Sequence, residues 1–252
     1  MIKLTRETAP SVLVDNGPAA IMHLCVRHDL QAYKFSTCSD DFSASIYSSQ
    51  AVKDALGRCQ NNKCCYCEMK FPADYPEVEH YRPKGAVIIG ESKSQLPTGY
   101  YWLAYSWDNL LLCKTKINKR YKRKFFPLEV ESNRARKHGD DTNLEAALLI
   151  NPFDEDPREH IRFHQDEPFP ITEKGRFSIK YYGLRDAGIS EARKELFDDL
   201  AAIKDALEVL HAKSPGDPLI KKFELRLEKA VKPTSQFSSM AIDLLQLVAH
   251  SP

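Results

Sequence analysis

The sequence lacks the features that would assign it to a membrane or secreted class. Its 252 residues contain no run approaching the roughly 20 apolar residues that a membrane-spanning helix requires. The chain opens with Met-Ile-Lys instead of a charged segment that leads into an apolar stretch, as a secretion signal would. We therefore predict a cytoplasmic protein with no membrane association.

Disulfide bonds are not expected either. Seven cysteines is an odd number, and a chain with 42% hydrophobic residues can bury a core without covalent cross-links. The net charge is only +1, so overall composition does not indicate a nucleic-acid-binding protein. We expect a reduced intracellular chain that folds as one large domain or two modest ones.

Basic charge is nevertheless concentrated in one segment. Residues 114–124, KTKINKRYKRK, hold seven Lys or Arg. Such a run, taken alone, indicates a solvated helix face or a localisation signal. Because this run lies beside the motif described below, where a polyanion would need it, we favour nucleic-acid binding.

Hydrophobic patterns divide the chain into three segments. Residues 1–60 are predicted to form a helical lead-in, with helices from Pro18 to Leu30 and from Ser48 to Cys59. Residues 61–130 combine short apolar runs, such as VEHY, YYWLAY and NLLLC, with a loop rich in Pro, Gly and Ser from Pro83 to Gly99. This pattern predicts small strands around a site.

Residues 131–252 are predicted to be mostly helical. Apolar residues recur every three or four positions after Ser190, which is the predicted N-cap. Helices from Pro218 to Val231 and from Ser235 to Ala249 are expected to follow. The predicted fold class is α+β, with a helical C-terminal third.

The residues suited to chemistry are Glu79 and His80 in EVEHYRPK, Asn109 in WDNLLLC and Asn118 in INKRYK. Cleavage of a phosphodiester needs a base for the attacking water, and a neutral imidazole is suited to that role, which we assign to His80. Hard divalent cations prefer carboxylate and amide oxygens, which Glu79 and Asn118 can supply. Asn109 is predicted to bridge loop backbone groups and hold His80 in place.

Neighbouring residues on a strand point to opposite faces, so Glu79 and His80 can serve one centre only where the strand ends or bulges. Pro83 makes an early strand end plausible. The aromatic residues of YYWLAY are expected to fill the core instead of stacking on bases.

Cys64 and Cys67 have the Cys-x-x-Cys spacing of half a tetrahedral zinc site. Cys113 is the further candidate ligand in the central region. Buried inert thiols are the alternative, and a redox dithiol is remote because the expected strand and helix context is absent.

The ordered motifs KCCYCE, EVEHYRPK, YYWLAYSWDNLLLC, FFPL and LLINPFDEDPREHIRF together resemble the HNH nucleases of the Septu antiphage system, the PtuB proteins, including those of retron operons. The resemblance runs from about Val52 to Arg193. It implies a small ββα-metal (HNH) core at 61–130 embedded among helices. It also implies endonuclease activity on DNA or RNA with Mg²⁺ or another divalent cation.

The resemblance carries roles over to individual residues. His80 matches the family's base, Glu79 and Asn118 match its metal ligands, and Asn109 matches its middle asparagine. The implied partners are nucleic acid, a PtuA-like ABC-type ATPase docked on the C-terminal region, and in retron systems a reverse transcriptase and its DNA product. The alternatives are a nuclease acting on an RNA such as a tRNA, or a catalytically silent nucleic-acid-binding assembly subunit.

The chain departs from the family at the zinc site. Cys64 and Cys67 match the first pair, but relatives usually carry a second Cys-x-x-Cys where this chain has Lys114 and Ile117. Either Cys113 joins the first pair with a distant ligand, or apolar packing around Ile117 has replaced zinc. We favour the loss of zinc.

Basic residues flank the proposed site on both sides along the sequence. They are expected to bind phosphates without reading base sequence, and their binding is expected to weaken steeply with salt. The predicted nucleic-acid-binding residues are Arg82, Lys84, Lys119, Arg120 and Lys122.

Overall fold

The computed structural model describes residues 1–31, 35–71, 76–89 and 94–246. Helices and short strands both occur, so the predicted α+β class is confirmed. The helices are α1 Ser11–Gln31, α2 Ala44–Tyr47, α3 Gln50–Cys59, a π-helix Ile117–Lys122, α4 Glu173–Tyr181, α5 Ala187–Lys213, α6 Pro218–Ala230 and α7 Ser238–Gln246. The strands are β1 Glu77–His80, β2 Val87–Ile89, β3 Ser94–Leu96, β4 Leu110–Cys113, β5 Ile161–His164 and β6 Glu167–Pro170.

The two N-terminal helices predicted from the sequence are present, but the first of them begins earlier than predicted. Helix α3 lies where it was expected, and the Ser49 hydroxyl caps it by accepting a hydrogen bond from the Val52 amide. Helix α1, however, begins at Ser11 and runs through Pro18. The helix start predicted at Pro18 is therefore wrong, because proline at that position interrupts the internal hydrogen bonding without ending the helix.

The central segment is built on an antiparallel pair of strands. Strand β1 pairs with β4, with His80 opposite Leu110. Strands β2 and β3 form a hairpin inside the segment that was predicted to be a loop. The YYWLAY run was predicted among the small strands, but Tyr101–Leu103 forms a 3₁₀ turn, because its tyrosines are buried in aromatic packing instead of pairing along a sheet.

Strand β4, LLLC, is buried on both faces. Leu111 and Cys113 point into the larger of the two hydrophobic clusters formed by described residues, whereas Leu110 and Leu112 point into the smaller one. A strand with a core on each side needs continuous apolar residues instead of alternation. The β1–β4 pair therefore lies between two cores.

The larger cluster draws on all three predicted segments. It contains Leu4 from residues 1–60, Leu111 from 61–130 and Leu200 from 131–252. The smaller cluster joins α1, α3 and the Tyr101–Leu103 turn to the β1–β4 pair. The central strands are consequently packed against residues from both ends of the chain.

The C-terminal region is helical after a hairpin of β5 and β6 that the sequence reading did not predict. Helix α5 begins at Ala187, so the N-cap predicted at Ser190 is wrong. The cap is Asp186, whose carboxylate accepts a hydrogen bond from the Gly188 amide at 3.2 Å. Helix α7 begins at Ser238, and its predicted end at Ala249 lies outside the described residues.

A buried charge cluster joins the Cys-x-x-Cys turn to α7. The Glu68 carboxylate lies 3.2 Å from the Lys63 ammonium and 2.9 Å from the N-terminal ammonium of Met1. It also accepts hydrogen bonds from the hydroxyls of Ser238 and Ser239. The opposing charges hold the pKa of Glu68 far below its usual value although burial alone would raise it.

None of the helices within the described ranges is long and apolar enough to cross a membrane.

Candidate active site

His80 is the last residue of β1, and its imidazole faces the smaller hydrophobic cluster. Its Nε2 lies 2.9 Å from the carbonyl oxygen of Ala104, and the ring packs edge-on against Tyr47 at 4.8 Å between centroids. Because a carbonyl can only accept, Nε2 must carry the proton, which leaves Nδ1 as the unprotonated atom. Burial, assisted by the nearby Lys84 ammonium, holds the pKa of His80 well below its usual value, so the ring is neutral at pH 7.

The Lys84 ammonium donates to the unprotonated nitrogen of His80. Its Nζ lies 3.4 Å from Nδ1 and 4.5 Å from the centre of the Tyr47 ring. Burial lowers the pKa of Lys84, and the Lys124 ammonium lowers it further, while Glu79 raises it. The partly desolvated ammonium of Lys84 therefore lies next to Nδ1 of His80.

Glu79 faces away from His80, as alternation along a strand requires. Its side chain is buried, and Oε1 lies 3.1 Å from the Nζ of Lys122. Among the described residues, however, this oxygen has no hydrogen-bond partner of good geometry. Burial raises the pKa of Glu79 despite the attraction of the Lys122 ammonium.

Asn118 lies on the π-helix Ile117–Lys122, which follows β4 along the chain. Its Nδ2 donates to Oε2 of Glu77 at 3.0 Å, and Oε1 of Glu77 pairs with Lys119 at 2.8 Å. The carbonyl of Asn118 accepts from the Arg123 amide, five residues on, at 2.8 Å. Arg123 has a positive φ of 46°, a conformation that a non-glycine residue adopts only at a cost.

Glu77 is a site residue that the sequence reading missed. The sequence does contain evidence for it, because Glu77 and Glu79 are two residues apart on one strand and therefore lie on the same face. The Ala104 carbonyl was also missed, and no sequence signal marks a backbone oxygen. Both groups contact a predicted site residue directly.

The three residues predicted to converge on a cation line one cavity of about 290 Å³. Glu79, His80 and Asn118 share its wall with Lys84 and Lys124. An adjoining cavity of about 340 Å³ shares Asn118 and Lys124 and is further lined by Glu77 and Lys119. The resulting groove combines one imidazole, carboxylate and amide oxygens, and basic side chains.

The chain as a whole is similar in sequence to a Septu protein. Septu protein PtuB of Bacillus mycoides (strain KBAB4) is 37% identical over 206 residues, which cover 79% of this chain and 68% of that protein. The chain belongs to the PtuB family. The family resemblance predicted from the ordered motifs is thereby confirmed.

A second, weaker similarity of this PtuB-family chain is to Septu protein PtuA of the same strain. The two are 28% identical over 149 residues, which cover 57% of this chain but only 20% of PtuA. No protein-family model and no solved structure matches the chain.

Asn109 lies outside the cavity, in the loop that leads into β4. Its Oδ1 accepts from the Arg82 amide at 2.7 Å, and its Nδ2 donates to the carbonyls of Arg82 and Leu103 at 3.0 and 3.1 Å. These contacts bridge the two ends of the loop that joins β1 to β4. Asn109 therefore supports the backbone next to His80 without contacting its ring.

The basic residues predicted to contact nucleic acid are placed in different surroundings in this PtuB-family chain. Lys84 and Lys119 line the groove, and Arg120 is exposed beside it. Arg82 is held by the Glu145 carboxylate at 2.8 Å, and Lys122 is fully buried against Glu79. Two further groove residues come from the same basic run and were not singled out, namely Arg123 and Lys124.

The cysteine site departs from that of a tetrahedral knuckle. Cys64, Cys67 and Cys113 are buried, and the Cys64 sulfur accepts hydrogen bonds from its neighbouring thiols. They do not appear among the groups of three metal-ligating side chains found within the described residues. Ile117 is fully buried in the larger cluster.

Proposed function

We propose that this PtuB-family chain is a metal-dependent HNH endonuclease that hydrolyses nucleic acid phosphodiesters in antiphage defence. The observation that carries the proposal is the state of His80. A neutral imidazole, oriented by the Ala104 carbonyl, presents its unprotonated Nδ1 near a groove of oxygen donors and ammonium groups. Such a group is suited to take a proton from an attacking water near neutral pH.

The Ala104 carbonyl gives His80 its orientation and tautomer. As Nδ1 takes a proton, positive charge develops on the ring, and the hydrogen bond from Nε2 to the carbonyl strengthens. Lys84, beside Nδ1, is placed to hold a phosphate oxygen near the water that His80 activates. In this proposal Lys84 positions the substrate and does not act as the base.

The oxygen donors fit a divalent cation. Glu79 supplies a buried carboxylate, whose Oε1 also lies 3.1 Å from the Lys122 ammonium, and Asn118 donates through its nitrogen, so that its amide oxygen is the atom suited to ligation. Hard cations such as Mg²⁺ take carboxylate and amide oxygens. The bound ion would stabilise the charge that develops on the phosphate and the leaving oxygen.

Glu77 is proposed as a further ligand or as the group that orients Asn118. Its carboxylate contacts Asn118 directly, whereas the Glu79 carboxylate is paired with Lys122. Mn²⁺ binding measured by electron paramagnetic resonance tests whether Glu77 and Glu79 are needed. Loss of binding in Glu79→Gln supports it as a ligand, and loss in Glu77→Gln shows that Glu77 is required, either as a ligand or to orient Asn118.

The substrate is proposed to be bound through its phosphates. The side chains of Lys84, Arg123 and Lys124 line the groove, and backbone contacts of this kind are common to DNA and RNA. The proposed partner is a PtuA-like ABC-type ATPase, which the sequence match to Septu proteins supports. For a retron-associated system the proposal adds a reverse transcriptase and its DNA product.

The decisive experiment compares His80→Ala with His164→Ala, an exposed histidine of β5 outside the groove. With Mg²⁺ and DNA or RNA, His80→Ala is expected to reduce cleavage by at least about 10²-fold, because it removes the base. His164→Ala should cleave like the unaltered protein. Urea unfolding confirms that both variants remain folded.

Two outcomes would contradict the proposal. Undiminished cleavage by a folded His80→Ala variant would reject the assignment of the base. Nucleic-acid binding without cleavage, by the unaltered chain together with its ATPase partner and Mg²⁺, would favour the silent assembly subunit.

A further inference from the structure

We infer that His28, Asp29 and His138 form a second metal site, which takes a transition-metal dication such as Zn²⁺. The first two residues lie in the last turn of α1, and His138 lies in the loop between the short helical turns at Glu131–Asn133 and Thr142–Leu144. None of the three lines the groove at His80. The inference does not depend on the proposed nuclease activity.

The ligand atoms of the three residues lie close enough together to reach one ion. One ligand atom from each residue lies within 4.8 Å of the other two. Nδ1 of His28 is 3.2 Å from Oδ1 of Asp29, and Nε2 of His138 is 3.4 Å from Oδ2 of Asp29. Bonds of about 2.0–2.1 Å at tetrahedral angles place ligand atoms about 3.3–3.4 Å apart.

The same distances also suit direct ion pairs, so the surroundings of the rings provide the second observation. Nδ1 of His138 lies 2.5 Å from the hydroxyl of Tyr101, which also accepts a hydrogen bond from the His138 amide. A histidine that ligates through Nε2 donates its Nδ1 proton to an outer partner, which fixes the ring.

Aromatic packing holds the His28 ring as well. The ring stacks on Tyr101 at 5.4 Å between centroids and meets Phe35 edge-on at 5.0 Å. It also meets the His138 ring edge-on at 5.4 Å. Because both imidazoles are oriented before any ion arrives, little ordering entropy opposes binding.

The site is open to solvent on the side of Asp29. Its side chain is 66% exposed, whereas those of His28 and His138 are 18% and 28% exposed. An ion can therefore enter, and water can take the fourth position. Two imidazoles and one carboxylate favour Zn²⁺, Ni²⁺ or Co²⁺, whereas the oxygen donors of the groove favour Mg²⁺ or Mn²⁺.

A bound ion would connect α1 to the 134–141 segment over the smaller hydrophobic cluster. Without an ion, the charged contact between the two is that of Asp29 with His138. Coordination by all three residues would replace it. We therefore assign the site a stabilising role, in which the ion fastens the N-terminal helix over Tyr101 and its neighbours.

The test uses Co²⁺ as a spectroscopic probe of the full-length chain. Coordination by nitrogen and oxygen gives visible d–d absorption, whereas coordination by Cys64 or Cys67 would add an intense thiolate charge-transfer band. We expect one equivalent of Co²⁺ without that band, displaced by Zn²⁺. Thermal unfolding should shift to a higher temperature when Zn²⁺ is added.

Single substitutions identify the residues that give rise to the Co²⁺ absorption. His28→Ala, Asp29→Asn and His138→Ala should each abolish the d–d bands and the Zn²⁺-dependent thermal shift. Tyr101→Phe should weaken binding by about 10–100-fold, as expected for an outer partner. His164→Ala is the matched control and should bind Co²⁺ like the unaltered chain.

Three results would overturn the inference. The first is the absence of Co²⁺ absorption at millimolar metal. The second is a spectrum dominated by thiolate charge transfer, and the third is binding that survives both His28→Ala and Asp29→Asn. Asp29 is exposed, so its substitution leaves the fold intact and keeps the test informative even if a histidine variant unfolds.

Discussion

Two buried glutamates of this chain have opposite surroundings. Glu68 is paired with two ammonium groups and accepts hydrogen bonds from two serine hydroxyls, and its pKa is lowered. Glu79 is ion-paired with Lys122, the oxygen of that pair has no hydrogen bond of good geometry within the described residues, and the pKa of Glu79 is raised. Glu68, whose charge is satisfied by ammonium groups and hydroxyls, stabilises the contact between the Cys-x-x-Cys turn and α7. Glu79, whose charge is satisfied only in part, is suited to bind a cation.

The largest expected effect on stability follows from removing the charge of Glu68. Glu68→Gln should lower the free energy of unfolding by about 3–5 kcal/mol, because it leaves the Lys63 ammonium buried without its counter-charge. Urea unfolding measures the change. Glu208→Gln on the exposed face of α5 is the matched control and should change stability by less than about 0.5 kcal/mol.

Glu79→Gln should lower the free energy of unfolding by less, about 3 kcal/mol, because it leaves the buried Lys122 ammonium without its counter-charge. It removes one ion pair, whereas Glu68→Gln disrupts two ion pairs and two hydroxyl hydrogen bonds. The same urea experiment provides the comparison. A loss equal to that of Glu68→Gln would mean that the two carboxylates are equally important to the fold.

The smallest effect is a difference in pH dependence. Glu68 has a lowered pKa, so its contribution is complete above the unfolded value of about 4.3 and is lost as pH falls through the folded value. Glu79 has a raised pKa, so its contribution is complete below about 4.3 and is lost as pH rises through the folded value. Stability should therefore depend on pH in opposite directions through these two groups.

Urea midpoints measured from about pH 3 to about pH 7 test this opposition. Glu68→Gln should flatten the loss of stability on acidification, and Glu79→Gln should steepen it slightly. Parallel curves for the two variants would contradict the assigned pKa directions. The unaltered chain, measured in the same buffers, is the reference.

The strands next to the site were predictable because local patterns determine them. The apolar run LLLC, the early strand end before Pro83 and the loop-bridging amide of Asn109 all depend on residue type and spacing. These features need no knowledge of distant residues. Sequence reasoning was therefore effective for the β1–β4 pair.

The partners of the site residues were less predictable because they depend on tertiary geometry. In an α-helix the carbonyl of Asn118 would bond to the amide of Lys122, but in the π-helix it bonds to Arg123. Among seven basic residues of one run, no pattern marks Lys122 as the buried one. The group of His28, Asp29 and His138 likewise depends on residues far apart in sequence.

The capping residue of α5 also anchors the helix that carries Asn118. Asp186 accepts from Lys116 at 2.8 Å and from the Tyr121 hydroxyl at 2.7 Å, while it caps the 27 residues of α5. A helix of that length is a rod of about 40 Å. A protein that binds the C-terminal end of α5 and tilts the helix would displace Asp186. That displacement would reach the π-helix through Lys116 and Tyr121, and so would move the proposed metal ligand Asn118.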